Sequence, residues 1–165
     1  MATKARNNIT RSVNPGSIFE DALSVVSSAV SWNQGDLLRF DDTANLVKAI
    51  ASDAEGSTFL GVAVNTVSLG KLLSPYTGTA VDAAQAVVPL AGPRYGVIVR
   101  LIAKTGDAFA PGDSVFATAT DAQTVSSAGT KAIGVYVGAT IASATAGQEI
   151  EVRLGHRHPG DVLVM

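Results

Sequence analysis

The stretch that decides the fold is W-N-Q-G-D-L-L-R-F-D-D-T-A-N-L-V at residues 32–47, because the chain repeats it as F-A-P-G-D-S-V-F-A-T-A-T-D-A-Q-T-V at residues 109–125. A second phrase follows each copy, S-T-F-L-G-V-A-V at 57–64 and T-K-A-I-G-V-Y-V at 130–137. The offset is 77 residues at the first landmark and 73 at the second, so the second copy has the shorter loop. Short apolar runs separated by Gly-Asp turns predict an all-β body.

Residues at matching positions in the two copies are predicted to have the same structural role. Gly35-Asp36 and Gly112-Asp113 each precede an apolar run, and we interpret both as turns in which the aspartate caps its own backbone. Trp32 and Phe109 occupy equivalent sites. We therefore expect them to be buried plugs of the two units rather than a platform on which a ligand stacks.

The pattern of apolar runs and turn residues predicts a small β-barrel or β-sandwich with body residues 19–154. Residues 19–30 fit both periodicities, and their β-branched content favours a strand after about one turn of helix. Repeat-like units are expected at about 24–64 and 101–137, separated by a long excursion at 65–94 with a possible helical turn near 82–86. Strands are expected at 37–40, 46–50, 59–64, 95–103, 114–118, 131–137 and 149–154.

Composition narrows the classes of function. The chain has 165 residues, enough for one domain or two small fused lobes. It has no cysteine, which excludes disulfides and thiol chemistry. Its net charge of −2, without a basic patch beyond the N-terminus, argues against binding to a nucleic acid duplex. No apolar run approaches the roughly 20 residues of a membrane span, and no secretion signal is visible.

Both ends of the chain are predicted to be extended arms. Residues 1–18 are polar and carry basic but no acidic side chains, and they could be a disordered tail or an arm that orders on a partner. Residues 155–165 form a C-terminal tail with an apolar tip, which we expect to dock on the body or on a neighbour. The side chains expected to contact partners are Lys4, Arg6 and Arg11 of the arm and His156, Arg157, His158 and Leu163 of the tail.

Candidate catalytic and metal-binding groups are sparse. His156 and His158 would share one face of a strand, but this is half a metal site with no visible second half. The acidic clusters are Asp41-Asp42 and residues 53–55, and the adjacent pair at 41–42 is better explained as an Asx turn between strands than as paired catalytic carboxylates. We therefore expect no catalytic residue, no cofactor and no metal, and predict that the protein is not an enzyme.

The second copy and the strand after it resemble the capsid cement, or head decoration, proteins of tailed bacteriophages. In that family a G-D-x-V turn and strand is followed by I/L-G-V-A and by a final A-G-x-x-x-x-V-R-L strand. The corresponding residues here are Gly112-Asp113, residues 133–135 and residues 147–154. Residues 94–101 match a mid-chain strand of the family, and residues 34–64 resemble its earlier G-D-x-V and G-V-A element.

The resemblance covers roughly residues 20–154 and implies a β-rich protein on the outer surface of an icosahedral head. There it would bridge neighbouring copies of the major capsid protein and resist internal DNA pressure. We expect the major capsid protein as partner, self-association with a trimer as the natural guess, and no nucleic acid or membrane. The protein would be made in the host cytoplasm and located in the virion.

Three alternatives remain open. A carbohydrate- or receptor-binding β-module would need an exposed aromatic platform, for which Tyr76, Tyr95 and Tyr136 are the candidates. Another virion component, in the tail, fibre or connector, would share the same composition. A carboxylate-based hydrolase would have to use Asp41 or Asp53.

Overall fold

The computed structural model describes residues 9–12, 20–23, 30–41, 46–63, 66–73, 80–82, 87–91 and 97–155. This part of the chain is all-β, as the sequence predicts, with one short 3-10 helix. The elements are β1 (Ile9–Ser12), β2 (Glu20–Leu23), β3 (Leu37–Asp41), β4 (Leu46–Ala49), the 3-10 helix η1 (Asp53–Thr58), β5 (Phe59–Ala63), β6 (Val67–Ser68), β7 (Lys71–Leu73), β8 (Ala80–Asp82), β9 (Val87–Ala91), β10 (Val97–Ala103), β11 (Ser114–Ala117), β12 (Thr124–Ser126), β13 (Ala132–Tyr136) and β14 (Glu149–Leu154).

The second unit closes into a five-stranded barrel. Strands β10, β14, β13, β11 and β12 are hydrogen-bonded in that order, and β12 pairs again with β10. This last pairing is parallel and the others are antiparallel. Because β12 reaches only Ile102 and Ala103 of β10, the first half of that edge is left for another strand. Strand β1 pairs there, so residues 9–12 of the predicted arm form a strand on the barrel.

The first unit has the same strand order as the second. Its sheet runs β2-β9-β5-β3-β4, and the corresponding strands of the second unit run β10-β14-β13-β11-β12. Both units interrupt the ladder at one place, between Leu38 and Arg39 in β3 and between Val115 and Phe116 in β11. The two units differ in whether the sheet closes into a barrel. In the second unit β12 pairs with β10, whereas within the described residues of the first unit β4 does not pair with β2.

The segment predicted as an excursion at 65–94 contains strands. β6, β7 and β8 form a small three-stranded sheet, and β9 pairs with β2 and β5 as part of the first unit's main sheet. These strands are not recognisable from the sequence because proline and glycine interrupt the segment and no run in it alternates clearly. Asp82 ends β8, and residues 83–86, where a helical turn was considered, lie outside the described residues.

The apolar core joins the two units. The larger cluster fills the barrel with alternate side chains of its strands and also includes Leu37, Ile50, Phe59 and Val62 from the first unit. A smaller cluster belongs to the first unit alone, with Trp32 and Leu38 among its members. Because the adjacent residues Leu37 and Leu38 enter different clusters, the start of β3 is buried on both faces and connects the clusters.

The remaining sequence predictions have mixed outcomes. The expected strands at 37–40, 46–50, 59–64, 95–103, 114–118, 131–137 and 149–154 are confirmed to within two residues at each end. Residues 20–23 are a strand, and the rest of the ambiguous segment at 24–29 lies outside the described residues. The acidic cluster at 53–55 begins η1.

Candidate functional site

The two Gly-Asp turns have the same hydrogen bonds. Oδ2 of Asp36 accepts the backbone N–H of Asn33 at 2.8 Å, and Oδ2 of Asp113 accepts that of Ala110 at 2.7 Å. In each turn the aspartate N–H donates back to the carbonyl of the same partner residue. The recurring aspartates are therefore turn caps, as the sequence predicts.

The glycines before these aspartates let the chain turn. Gly35 and Gly112 have φ values of 95° and 93°, a region that favours glycine. Their N–H groups donate to the carbonyls of Ala63 and Tyr136, at 2.8 and 2.9 Å. Each turn is thus tied to the end of the strand that contains the Gly-Val phrase, β5 in the first unit and β13 in the second. This contact explains why the Gly-Asp turn and the Gly-Val phrase recur together.

Trp32 and Phe109 are buried plugs, as predicted. Each forms an isolated bridge with a later segment, Trp32 with Val67 and Phe109 with Ile141. The ring of Phe109 also packs on that of Tyr136, with ring centroids 5.5 Å apart. These two aromatic side chains fill the cores of their units, so neither ring is available for a ligand to stack on.

A buried polar contact joins the units. Nε2 of Gln123 donates to Oδ1 of Asp36 at 2.9 Å, and these residues are only 2% and 3% exposed. Next to this contact, the N–H of Leu37, one residue after Asp36, donates to the carbonyl of Ala122, one residue before Gln123, at 2.7 Å. Asp36 therefore caps its own turn and also fixes the second unit, whereas its counterpart Asp113 is exposed.

Asp53 makes a second contact between the units. Its carboxylate accepts the N–H and hydroxyl of Thr130 at 2.8 and 2.7 Å, and the N–H of Lys131 at 3.2 Å. Burial alone would raise the pKa of Asp53, but these hydrogen bonds and the charge of Lys131 outweigh it and hold the pKa below its usual value. The ionised carboxylate therefore stabilises this contact.

The other acidic side chain considered for catalysis is ion-paired. Oδ2 of Asp41 lies 2.7 Å from Nζ of Lys48 and 3.4 Å from Arg39, and Arg39 also reaches Oε1 of Glu55 at 2.9 Å. The four side chains therefore form one connected network of ion pairs in the first unit. Asp42 lies outside the described residues, so Asp41 is the one member of the adjacent pair of carboxylates that the structure describes.

Tyr136 is buried and does not form a ligand platform. Its hydroxyl donates to the carbonyl of Ala139, and its ring packs so close to Gly138 that a Cβ there would clash with it. Burial and the nearby charge of Glu151 raise the pKa of Tyr136. The other two candidate tyrosines, Tyr76 and Tyr95, lie outside the described residues.

Most of the side chains predicted to contact partners lie outside the described residues. These are Lys4, Arg6, His156, Arg157, His158 and Leu163. Arg11 lies in β1, where its backbone is paired with Ile98 of β10. Leu69 is an exposed apolar residue at the β6–β7 turn, and the sequence does not predict it because a single leucine beside a glycine carries no recognisable pattern.

Within the described ranges, no three histidine, cysteine or acidic side chains converge as a metal site would require. The same part of the chain contains no helix with the length and apolar character needed to span a bilayer. No family model and no curated protein matches this chain.

Proposed function

We propose that this protein is a structural virion component that binds the outer surface of a tailed-phage head and stabilises it by bridging major capsid protein subunits. The observation that carries the proposal is the duplicated body itself. Its recurring aspartates cap turns, its paired aromatic residues plug the two units, and its carboxylates at Asp36 and Asp53 join one unit to the other. The conspicuous side chains thus build a shape rather than a reaction centre.

The body suits a bridging role because its two units form one packed structure. They share an apolar cluster, and the buried Asp36–Gln123 hydrogen bond specifies how they fit together. A bridge transmits force between the subunits it joins, so it must resist internal rearrangement. Closely packed interiors have low compressibility and transmit strain in this way.

The arms supply further contacts in this proposal. Each attachment can be weak, because contacts linked in one molecule multiply affinity by roughly 10²–10⁴ through effective concentration. Binding by several contacts also suits a shell that presents many identical neighbouring subunits. We propose self-association into a trimer at threefold or quasi-threefold positions, where each copy would meet the same surroundings.

The described aromatic residues favour this proposal over a carbohydrate-binding module. Such a module needs exposed rings, and Tyr136, Phe109 and Trp32 are all buried. The hydrolase alternative is less well supported, because both of its candidate carboxylates have structural partners. Asp41 is ion-paired and Asp53 is hydrogen-bonded to Thr130.

The deciding measurement is the copy number of this protein in purified virus particles from its source, by quantitative mass spectrometry against the major capsid protein. Hundreds of copies in simple ratio to the capsid protein, released before the shell breaks, would establish the role in decoration. A few copies per particle would assign the protein to the tail or fibre instead. Absence from particles would refute the proposal and reopen the binding-module alternative.

A further inference from the structure

Strand β1 pairs with the second unit, although it leads into the first unit along the chain. Arg11 and Ser12 pair with Ile98 and Val97 of β10 in an antiparallel ladder. Strand β12 reaches only the other end of β10, so β1 and β12 share one edge of this strand. Without β1, that half of β10 would be an open edge, which is a template for pairing with another strand.

Strand β9 makes the converse crossing. It leads directly into β10, the first strand of the second unit, but it pairs with β2, the first strand of the first unit. The offset of 77 residues between the two copies carries residues 9–12 of β1 to residues 86–89, which overlap β9. The strand that leads into each unit therefore pairs with the first strand of the other unit.

The two crossed pairings have nearly the same register, and both are antiparallel. Glu20 at the start of β2 pairs with Leu90, and Val97 at the start of β10 pairs with Ser12. The same offset carries Glu20 to Val97 and Leu90 back to residue 13, so the registers agree to within one residue. The edges differ, because β9 also pairs with β5, a place that β14 takes in the second unit.

We propose that β1 is exchanged between copies of this protein, so that β1 of one copy pairs with β10 of a second copy. The inference rests on the proposed function, since it names the contact for the self-association proposed there. The partner follows from the structure, because β1 is the strand observed on this edge and a second copy supplies an identical one. The crossed pairings are an exchange of the same kind between two similar units of one chain.

The balance between pairing within a copy and pairing between copies depends on how close the copies are. Both arrangements form the same backbone hydrogen bonds, and they differ in the path of residues 13–19, which connect β1 to β2. Neighbouring copies on a shell have a high effective concentration, which favours exchange. Because each copy gives one strand and receives one, the exchange can close as a symmetric dimer or trimer.

The absence of cysteine from the chain allows a direct test. Arg11→Cys and Ile98→Cys are prepared as two separate full-length variants, unfolded together in urea, refolded together at high concentration and oxidised. A disulfide between the two variants requires β1 of one chain beside β10 of another. Paired residues of adjacent antiparallel strands lie within the Cα separation that a disulfide spans. Size-exclusion chromatography separates the species, and mass spectrometry identifies the linked pair.

The matched control uses Arg100→Cys and Glu151→Cys. Arg100 is two residues beyond Ile98 on the same face of β10, and it pairs with Glu151 of β14 within the barrel. As separate chains, these two variants should be joined only by random collision, whereas a chain that carries both should be linked internally. Ser12→Cys with Val97→Cys is a second test pair for use if Ile98→Cys does not fold.

We expect the self-associated fraction to contain Arg11→Cys joined to Ile98→Cys between chains, about tenfold or more above the control pair. Refolding at low concentration should reduce this linkage. A chain that carries both Arg11→Cys and Ile98→Cys should then be linked internally, because its own β1 is the strand that remains available.

Two results would overturn the inference. If the protein self-associates but neither test pair is joined between chains above the control level, self-association uses another surface, although binding to the head would still stand. If the protein remains monomeric after refolding at high concentration, the inference and the proposed self-association both fail. Failure of the proposed function as a whole is distinguished by the separate measurement of copy number, as absence of the protein from particles.

Discussion

Replacing Asp36 by alanine, in parallel with its counterpart Asp113, separates the two tasks that one turn aspartate performs. Both replacements remove a hydrogen bond that caps a turn, at 2.8 and 2.7 Å respectively. Loss of such a cap costs about 1 kcal/mol of the free energy of unfolding, by analogy with helix caps. If capping were the only role of these residues, the two variants would be equally destabilised.

Asp36→Ala carries an additional penalty because it also leaves the side-chain amide of Gln123 without this acceptor. The buried amide of Gln123 then keeps a longer bond of 3.5 Å to the carbonyl of Gln34, and the poorer pairing costs about 1–3 kcal/mol, the range for buried polar groups. We therefore expect Asp36→Ala to lower the free energy of unfolding by about 2–4 kcal/mol and Asp113→Ala by about 1 kcal/mol.

Equilibrium unfolding in urea measures both values, and a double-mutant cycle with Gln123→Ala isolates the contact between the units. We expect a coupling energy of about 0.5–3 kcal/mol between Asp36 and Gln123, the range for residues in direct contact. The same cycle between Asp113 and Gln123 should give a value near zero. Equal destabilisation by the two aspartate replacements, or additivity in the first cycle, would refute the assignment of Asp36 as a link between the units.

Further predictions concern charge, packing and the arm. Because the folded state lowers the pKa of Asp53, its carboxylate stabilises the fold above its ordinary pKa of 3.8, and that stability is lost as pH falls from this value through the folded-state pKa. The difference in unfolding free energy between wild type and Asp53→Asn should therefore be largest near neutral pH and narrow towards pH 3, and a constant difference would contradict this. Gly134→Ala should destabilise by about 1–3 kcal/mol in urea unfolding, because its new Cβ would lie 2.5 Å from the carbonyl oxygen of Arg153; a neutral effect would show that β13 can shift. Deletion of residues 1–16 should weaken head binding but leave a folded body by circular dichroism, since the barrel closes without β1, and unchanged affinity would show that the arm is not a contact.

The local features of the fold could be predicted from sequence because their causes lie within a few residues. The Gly-Asp turns depend on a positive φ and on a hydrogen bond across three residues, so the same short phrase produces the same geometry twice. The buried positions of Trp32 and Phe109 follow from their matching places in the two copies. Alternating β14 was also recognised at its observed limits, Glu149–Leu154.

The features that join distant segments could not be predicted in this way. Asp36 and Gln123 are 87 residues apart, and nothing near either one marks it as the partner of the other. Strand β12 is only three residues long and is buried on both faces, so it shows no alternation. The strained backbone of Leu69 depends on the pairing of β6 with β7, and neither strand is long enough to be recognised alone.

The comparison between the two units separates the features that both units share from those in which they differ. The strand order, the Gly-Asp turns and the interrupted ladder are common to both, so these features are what the unit needs in order to fold. The differences are of two kinds. Asp36 is buried against Gln123 while Asp113 is exposed, and this difference serves the contact between units. Gly70 and Ala144 donate equivalent backbone hydrogen bonds, to Val30 and Asp107, so exposed Leu69 stands at the place of exposed Ser143 in the second unit. Because the second unit folds with a serine there, the shared fold does not require the leucine or its positive φ.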